Sequence, residues 1–274
     1  MPGQILTISS HVVHGYVGNR GMTFPLQVMG WNVDALNTTN YSNHPGYGSF
    51  SGEIEKPQLI FDVLKGLQDI GNGIENYDIL ITGYLPNYEI ITSVKNMMDD
   101  LSDTKKPVIV MDPILGDNGK LYLSEAVVPV YKEILASGKI DVITPNQFEF
   151  EYFTGVKITD ETTLKQAITK FKSLYNVKHI VISSVNFDDS MYCVGYVDDL
   201  ILIPIEEIPV KFFGCGDLFT ALMAHNFVKY DFEHALKDSV EKLSKVLQRT
   251  VEHEPGVKII KDLRIIQSKD IYLQ

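Results

Sequence analysis

Short apolar runs alternate along this chain with segments of helical length, and this alternation restricts the fold more than any other feature. The runs are rich in Ile and Val and lack the polar–apolar alternation of a half-exposed sheet, so both faces of each strand should be buried. The predicted strands cover residues 5–9, 31–38, 78–83, 107–112, 141–144 and 179–184. Runs of this kind are typical of parallel strands covered by helices on both sides.

The intervening segments carry apolar residues at helical spacing. One of them starts at Asp160 and places Leu164, Ile168 and Phe171 on one face, as a helix that packs on a core requires. The predicted helices cover residues 21–29, 57–70, 89–101, 125–137, 160–175, 217–228 and 232–251. Strands that alternate with helices predict an α/β fold with three layers and a doubly wound, mostly parallel sheet.

The segment 191–205 has a different character, because two strand-like runs follow each other directly. Residues 191–197 and 200–205 flank Asp198 and Asp199, which suit a tight turn. We expect a β-hairpin at the edge of the sheet. The chain has no repeat and no Pro-, Gly- or Ser-rich linker, so a single domain over residues 1–274 is predicted.

Composition excludes several classes of function. The net charge of −11 opposes a broad nucleic-acid surface, which needs a basic stripe. No run of about 18 apolar residues and no signal sequence is recognisable, so neither a membrane span nor secretion is expected. The two cysteines, Cys193 and Cys215, form no zinc pattern and suit a reducing compartment. The expected location is the cytoplasm, and the nucleus could be a further location.

Two glycines around Cys215 precede a predicted helix, and Asp217 follows them at its start. Glycine lets a backbone turn tightly and approach a ligand, and the first amides of a helix bind anions. A carboxylate beside that anion site could accept a proton from an alcohol during phosphoryl transfer. The simpler alternative is that Asp217 is an ordinary helix N-cap.

These residues and several other segments resemble a known family. The GCGD motif at Gly214 is similar to the anion-hole signature of the ribokinase superfamily. Further motifs resemble the pyridoxal kinases within it: SHVVHGYVGNR from Ser10, SNH from Ser42, MDPILGD from Met111 and ITPNQFE from Ile143. The resemblance follows one order along most of the chain. It implies a ribokinase-like fold, a homodimer, and transfer of phosphate from ATP to the hydroxymethyl group of B6 vitamers.

The resemblance also implies roles for individual residues. Asp217 is the expected catalytic base, and the amides of Gly214, Cys215 and Gly216 form the expected anion hole. The expected nucleotide contacts are Asp112, Asp117, Tyr122, Thr144, Asn146, Glu149, Ser183, Ile208, Phe212, Gly214 and Gly216. Asp112, Asp117 and Glu149 are also the expected ligands of Mg²⁺ or another divalent cation, and K⁺ is a further expectation. Taken alone, Asp112 and Asp117 could equally be turn residues.

The expected vitamer contacts come from three segments. They are Ser10, Val17, His44, Pro45, Tyr84 and Asp217. Taken alone, Ser10 could be a turn residue and Tyr84 a packing aromatic, and Ile208 and Phe212 could be core residues. The three histidines His11, His14 and His44 lack the spacing of a metal site.

Ser183 departs modestly from the family pattern, since relatives usually have threonine there, and two other positions depart more. Cys215 stands where relatives have threonine, and Pro45 where many have threonine, so phosphate binding and vitamer preference could differ. A thiol at a helix start could have a lowered pKa and be oxidisable, or it could be a small packing residue. Two alternatives therefore stay open: a hydroxymethylpyrimidine or sugar kinase of the same superfamily, and a non-catalytic relative that binds vitamer or nucleotide.

Overall fold

The computed structural model describes residues 3–102, 104–117 and 119–274, and all elements named below lie within those ranges. The strands are β1 (Gln4–Val12), β2 (Asn32–Tyr41), β3 (Gly52–Ile54), β4 (Ile79–Thr82), β5 (Val108–Met111), β6 (Gly116–Asp117), β7 (Lys120–Leu121), β8 (Val142–Ile143), β9 (His179–Phe187), β10 (Ser190–Tyr196), β11 (Leu200–Ile205), β12 (Lys211–Phe212) and β13 (Ile259–Ile260). The helices are α1 (Asn19–Val28), α2 (Pro57–Asp69), α3 (Tyr88–Asp99), α4 (Val128–Ala136), α5 (Gln147–Thr154), α6 (Glu161–Leu174), α7 (Cys215–Phe227), α8 (Phe232–His253) and α9 (Lys269–Tyr272).

Nine strands form the central sheet in the order β11-β10-β9-β8-β5-β4-β1-β2-β3. The pairs from β2 through β1, β4, β5 and β8 to β9 are parallel, and the strands at both edges are antiparallel. The predicted α/β fold with a mostly parallel sheet and an edge hairpin is confirmed. It forms because the central strands are buried along both faces, as their unbroken apolar sequences require.

Helices cover both faces of this sheet. Leu6 and Ile8 of β1 point to the face covered by α2 to α6, where Phe150 and Phe171 stack with ring centroids 5.0 Å apart. Ile5 points to the other face, where α1, α7 and α8 pack with Phe219 at the centre of the cluster. Alternate side chains of one strand thus feed two separate cores, which produces the three layers.

The predicted elements omit the hairpin of β9 and β10, the short strands β3, β6, β7, β12 and β13, and helix α9, and they include only the start of α5, near Glu149. Strands β9 and β10 are joined through Asp188 and Asp189, whose φ angles of 50° and 55° are left-handed, as a tight hairpin turn demands. Helix α5 lies in a polar and aromatic stretch without clear helical periodicity. Its ends are nevertheless marked, by a capping box between Asn146 and Glu149 and by left-handed Gly155.

The parallel strands present their carboxyl ends at one edge of the sheet. Ser10 lies near the end of β1, while Gly83, Asp112 and Thr144 directly follow β4, β5 and β8. Ligands of doubly wound folds bind at this edge. Helix α7 begins beside it, since Gly216 lies against Asp112.

Candidate active site

Helix α7 begins at Cys215, two residues earlier than the sequence predicted. Gly214 is its N-cap and has a left-handed φ of 84°. A Cβ at Gly214 would lie 2.2 Å from the carbonyl oxygen of Tyr16, so only glycine suits this turn. No side chain caps the helix, so its first amides are available to an anion. The interpretation of Asp217 as an N-cap is therefore wrong, because Asp217 is the third residue of the helix.

The carboxylate of Asp217 is recessed between α7 and α1. The two helices approach closely there, and a Cβ at Gly21 would lie 3.3 Å from Cβ of Asp217. Burial raises the pKa of Asp217 to about 6, while the amides of Gly18 and of Asp217 itself act in the opposite direction. A carboxylate with this pKa is mostly ionised at neutral pH and still basic enough to accept a proton.

Asp112 is a second carboxylate of the site, and it is buried. Burial raises its pKa well above the ordinary range, and the nearby Glu149 and Asp217 raise it further. A Cβ at Gly216 would lie 3.4 Å from Oδ2 of Asp112, so this carboxylate faces the start of α7. Asp112 therefore lies between the anion-binding turn and Glu149.

Glu149 is the third carboxylate, and backbone amides hold both of its oxygens. Oε1 accepts from the amides of Leu115 at 2.7 Å and Gly116 at 3.3 Å, and Oε2 accepts from the amide of Asn146 at 2.9 Å. Burial nevertheless raises the pKa of Glu149 to about 7. Asp117 contributes to this rise, and it is half-buried in β6.

The three predicted metal ligands do not form a ready-made ligand set. Across the described ranges, no three His, Cys, Asp or Glu side chains converge as a metal site would require. The residues still suit a hard divalent cation. Burial, Glu149 and Asp217 raise the pKa of Asp112, and a bound cation would offset both the burial cost and the repulsion. From the part of the chain that the structure describes, Oε2 of Glu149 accepts a single amide hydrogen bond, so it retains a lone pair for a cation or a water molecule.

The predicted vitamer contacts Ser10 and Tyr84 lie on β1 and just after β4, which are neighbouring parallel strands. Ser10 packs against Gly18, where a Cβ would lie 2.3 Å from the Ser10 hydroxyl oxygen. Tyr84 is half-buried, and burial raises its pKa to about 12. Its amide donates to Ser9 Oγ at 3.1 Å, and its carbonyl accepts from Thr38 at 2.8 Å. The backbone of Tyr84 is thus fixed to β1, which carries Ser10, and to the neighbouring β2. Val17 is buried.

His44 and Pro45 lie outside the sheet, on the segment between β2 and β3. We call residues 41–52 the flap. Pro45 is the first residue of a short 3₁₀ turn, Pro45–Tyr47, where its missing N–H costs no hydrogen bond. His44 Nδ1 accepts from the amide of Gly46 at 3.0 Å, so the neutral ring carries its proton on Nε2 and can donate it.

The predicted nucleotide contacts fall into two groups. Thr144, Asn146 and Ser183 lie at the carboxyl edge, where Asn146 Nδ2 donates to the carbonyl of Gly116 at 2.8 Å and Ser183 donates to that of Pro145 at 3.4 Å. The others lie further out. Tyr122 is exposed beyond β7, Ile208 is in the loop before β12, and Phe212 packs partly against the small core between α7, α8 and α9.

Of the two interpretations of Cys215, the reactive thiol with a lowered pKa is wrong and the packing residue agrees with the structure. Burial and the neighbouring carboxylate of Asp217 raise the pKa of the thiol to about 12. The position at a helix start would lower this pKa, but the two opposing effects are larger. Cys215 is therefore a packing residue rather than a reactive thiol.

The sequence argument missed Thr220. This threonine is one turn beyond Asp217 on α7 and is buried. Its hydroxyl donates to Oδ2 of Asp112 at 3.4 Å and lies 3.0 Å from that of Thr144. It thereby joins α7 to the ends of β5 and β8. Its position three residues after Asp217 could have identified Thr220 from the sequence, since residues at that spacing share a helix face.

Comparisons with known proteins agree with this geometry. The sequence matches the family described as Phosphomethylpyrimidine kinase over residues 73–261. It is 32% identical to the pyridoxal kinase of Homo sapiens over 97% of this chain and 94% of that protein. It is also 32% identical to the pyridoxal kinase of Arabidopsis thaliana, over 98% and 90% of the two chains. The structure matches that of pyridoxal kinase from Leishmania donovani in complex with ADP and pyridoxamine, with a TM-score of 0.88, 28% identity and coverage of 99% and 96%.

Proposed function

This chain belongs to the pyridoxal kinases of the ribokinase superfamily and phosphorylates B6 vitamers with ATP, and we propose that Asp217 is the base of that reaction. The observation that carries this assignment is the carboxylate at the third position of α7, beside uncapped helix amides and with a pKa raised to about 6. A base and an anion site are then adjacent, as transfer of a phosphoryl group to an alcohol requires.

In the proposed step, Asp217 takes the proton of the vitamer hydroxymethyl group. The freed electron pair on that oxygen forms a bond to the γ-phosphorus of ATP, and the bond from this phosphorus to the β,γ-bridging oxygen breaks. ADP leaves with the electron pair of the broken bond. The amides of Gly214, Cys215 and Gly216 stabilise the charge on the moving phosphoryl group, because they are fixed in place before the reaction.

A divalent cation such as Mg²⁺ is the proposed companion of ATP, with Asp112, Asp117 and Glu149 as the residues that would hold it. Bound there, it would neutralise negative charge on the nucleotide phosphates. Thr144 and Ser183 are the proposed contacts for phosphate or for K⁺. Asn146 keeps the loop after β8 in place through its contact with Gly116.

For the vitamer we propose contacts from both sides of the pocket. Ser10 supplies a hydroxyl for the ring nitrogen, Tyr84 and Val17 cover the ring, and His44 with Pro45 closes the pocket from the flap. Tyr122, Ile208 and Phe212 are the proposed nucleotide contacts furthest from the reacting atoms.

The larger assembly is also a proposal. Residues 1–274 are proposed to form one kinase domain that functions as a cytoplasmic homodimer. Within the described residues, no helix is long and apolar enough to cross a bilayer. Sedimentation analysis of the purified chain tests the dimer, and a mass of about 62 kDa is expected from the 30.8 kDa chain.

Replacement of the base by its neutral isostere tests the proposal. Asp217→Asn should lower turnover of pyridoxal by roughly 10²–10⁴-fold, because an amide cannot accept the proton. The dissociation constant of pyridoxal should stay within about threefold of that of the parent, since the shape of the site is kept. A coupled ATP assay with pyridoxal, pyridoxine, pyridoxamine, a hydroxymethylpyrimidine and ribose fixes the substrate. Turnover of Asp217→Asn near the parent rate would contradict the assignment.

A further inference from the structure

The segment 258–262 near the end of the chain connects two parts of the site. Strand β13 pairs with β12, and the amide of Phe213 donates to the carbonyl of Ile260 at 3.1 Å. Phe213 is followed by Gly214, so this pairing fixes the backbone that leads into the anion-binding turn. The next residues of the same segment, Lys261 and Asp262, contact the flap. The matched family region ends at residue 261, just before Asp262.

Tyr47 is the flap residue that these contacts hold. Its hydroxyl donates to Oδ2 of Asp262 at 2.7 Å, and the Lys261 ammonium lies 4.6 Å from the centre of its ring. The His14 ring meets the Tyr47 ring edge-on at 5.8 Å, and His14 Nε2 lies 3.4 Å from Oδ2 of Asp262. Tyr47 is therefore fixed at its hydroxyl and on its ring.

Asp262 itself has a fixed orientation. Its Oδ1 atom is buried, and a Cβ at Gly15 would lie 2.8 Å from that atom. The loop after β1 thus encloses one oxygen while Tyr47 occupies the other. A carboxylate enclosed in this way has little freedom to follow a moving flap, so separating Tyr47 from it would cost the full hydrogen bond.

The flap also lies directly against the approach to α7. The rings of His44 and Phe213 are 4.6 Å apart, and a Cβ at Gly46 would lie 2.5 Å from the Phe213 ring. The turn that carries His44, Pro45 and Tyr47 consequently packs on Phe213, the residue before the anion hole. Phe213 therefore supports both the flap with its proposed vitamer contacts and the turn with its proposed phosphate contacts.

We propose that Tyr47 and Asp262 form a latch that holds the flap closed over the vitamer and in register with the anion-binding turn. This inference rests on the proposed function, because it assigns His44 and Pro45 to the vitamer pocket. Tyr47 and Asp262 are positioning residues, since they act through the flap and through Phe213 rather than on the reacting atoms. The latch should govern vitamer affinity more than ATP affinity, because its contacts are with the flap.

The test removes one hydroxyl at each of two tyrosines that donate to an aspartate. Tyr47→Phe deletes the latch bond. Tyr77→Phe deletes a bond of 2.6 Å to Asp34 and one accepted from Asn72 at 2.9 Å, near the amino ends of β2 and β4 and so at the opposite edge of the sheet from the site. The measurements are the dissociation constant and KM of pyridoxal, the KM of ATP, and hydrogen exchange of residues 41–52. Asp262→Asn and the Tyr47→Phe, Asp262→Asn double variant complete a mutant cycle.

The latch predicts about a tenfold rise in the dissociation constant and KM of pyridoxal for Tyr47→Phe, the order expected when a hydrogen bond to a carboxylate is lost. Exchange of residues 41–52 should accelerate, the KM of ATP should stay within about twofold, and the double variant should be no worse than the weaker-binding single variant. Tyr77→Phe should leave both pyridoxal constants unchanged.

Three results would overturn the latch: an unchanged pyridoxal dissociation constant in Tyr47→Phe, an equal change in Tyr77→Phe, or additive effects in the double variant. Failure of the proposed function looks different, because the parent protein would then bind pyridoxal without releasing ADP, or Asp217→Asn would retain full turnover. The binding and exchange measurements do not depend on turnover, so they judge the latch in either case.

Discussion

The polar groups at the two ends of helix α7 differ in how their charges are balanced. At its start, Asp112 lies near both Asp217 and Glu149, and the pKa of each carboxyl is raised. At its end, Asn226 donates to Asp238 at 2.8 Å, and Lys242 pairs with the same carboxylate at 2.7 Å. The first end accumulates like charge, and the second end neutralises it.

This difference suits a ligand site at the start of α7 and a structural contact with α8 at its end. Like charges in a buried site destabilise the free protein, and a bound cation with ATP would offset that cost. Paired and hydrogen-bonded groups instead stabilise the contact between α7 and α8. Removal of a carboxylate at the start of α7 should therefore lower activity and stabilise the ligand-free protein. Substitutions at its end should lower stability and leave activity unchanged.

Asp112→Asn tests the charge balance at the start of α7 and should have the largest effect there. Loss of one carboxylate should lower activity by roughly 10–100-fold through weaker divalent-cation binding. The free energy of unfolding of the ligand-free protein should rise by about 1–3 kcal/mol, because a buried repulsive charge is removed. Turnover as a function of Mg²⁺ and urea unfolding measure the two effects. Asp99→Asn, at an exposed carboxylate of α3, is the control. A decrease in stability for Asp112→Asn would contradict the comparison.

Lys242→Met should have the opposite outcome. Lys242 is buried, and its loss leaves Asp238 with Asn226 as its remaining partner among the contacts described above. We expect the free energy of unfolding to fall by about 2–3 kcal/mol, near the lower limit for a broken buried pair, with turnover unchanged. Lys237→Met removes an exposed pair with Glu233 on the same helix and should cost at most about 0.5 kcal/mol. Equal losses in the two variants would show that burial is irrelevant here.

The pH dependence of stability sharpens the comparison, because the two ends have shifts of opposite sign. The folded-state pKa of Asp217 is raised to about 6, so its contribution is fully present below about 4 and is lost as pH rises through about 6. Burial lowers the pKa of His225 to about 4, so its contribution is present above 6.5 and is lost as pH falls toward 4.

Single variants separate the two contributions. As pH rises from 4 to 7, Asp217→Asn should gain stability relative to the parent by about 2 kcal/mol, and His225→Gln should lose stability relative to it by about 1–3 kcal/mol. Urea unfolding of ligand-free protein across this range measures both trends. Trends of the same sign in the two variants would refute the opposition between the ends.

The sequence predicted the fold well because the central strands are buried on both faces, and their apolar runs leave few alternatives. It placed the start of α7 two residues late, since Asp217 is a good N-cap residue and the left-handed Gly214 that replaces it leaves no periodic signal. It also treated Cys215 as a candidate reactive thiol. That interpretation used the helix start alone, whereas the burial and the Asp217 carboxylate that raise the thiol pKa depend on tertiary packing.

Motifs predicted the candidate site, and the site contacts that the prediction did not include lie outside those motifs. Thr220 and the contact between Tyr47 and Asp262 join segments more than 70 residues apart in sequence. Local patterns contain no information about such pairs. The motif residues, by contrast, lie at strand ends and helix starts, which local patterns do identify.

Thr220→Val tests whether the candidate site at the start of α7, called the active end, extends one turn further into the helix. The change keeps the shape of the side chain but removes the hydroxyl that reaches Asp112 and Thr144. Turnover should fall by roughly 2–10-fold, the range of one neutral hydrogen bond, with the KM of ATP unchanged, and Thr220→Ser should restore most of it. Steady-state kinetics at several Mg²⁺ concentrations measure the effect and its dependence on the cation.

Thr250→Val provides the matched control on α8. The Thr250 hydroxyl is buried and donates to the carbonyl of Val246 at 2.7 Å. Its loss should cost stability and leave turnover alone, because no carboxylate of the site is its partner. If Thr220→Val behaved in the same way, Thr220 would belong with the structural end of α7, and the boundary between the two ends would lie between Asp217 and Thr220. A loss of turnover confined to Thr220→Val would instead extend the active end a full turn into the helix.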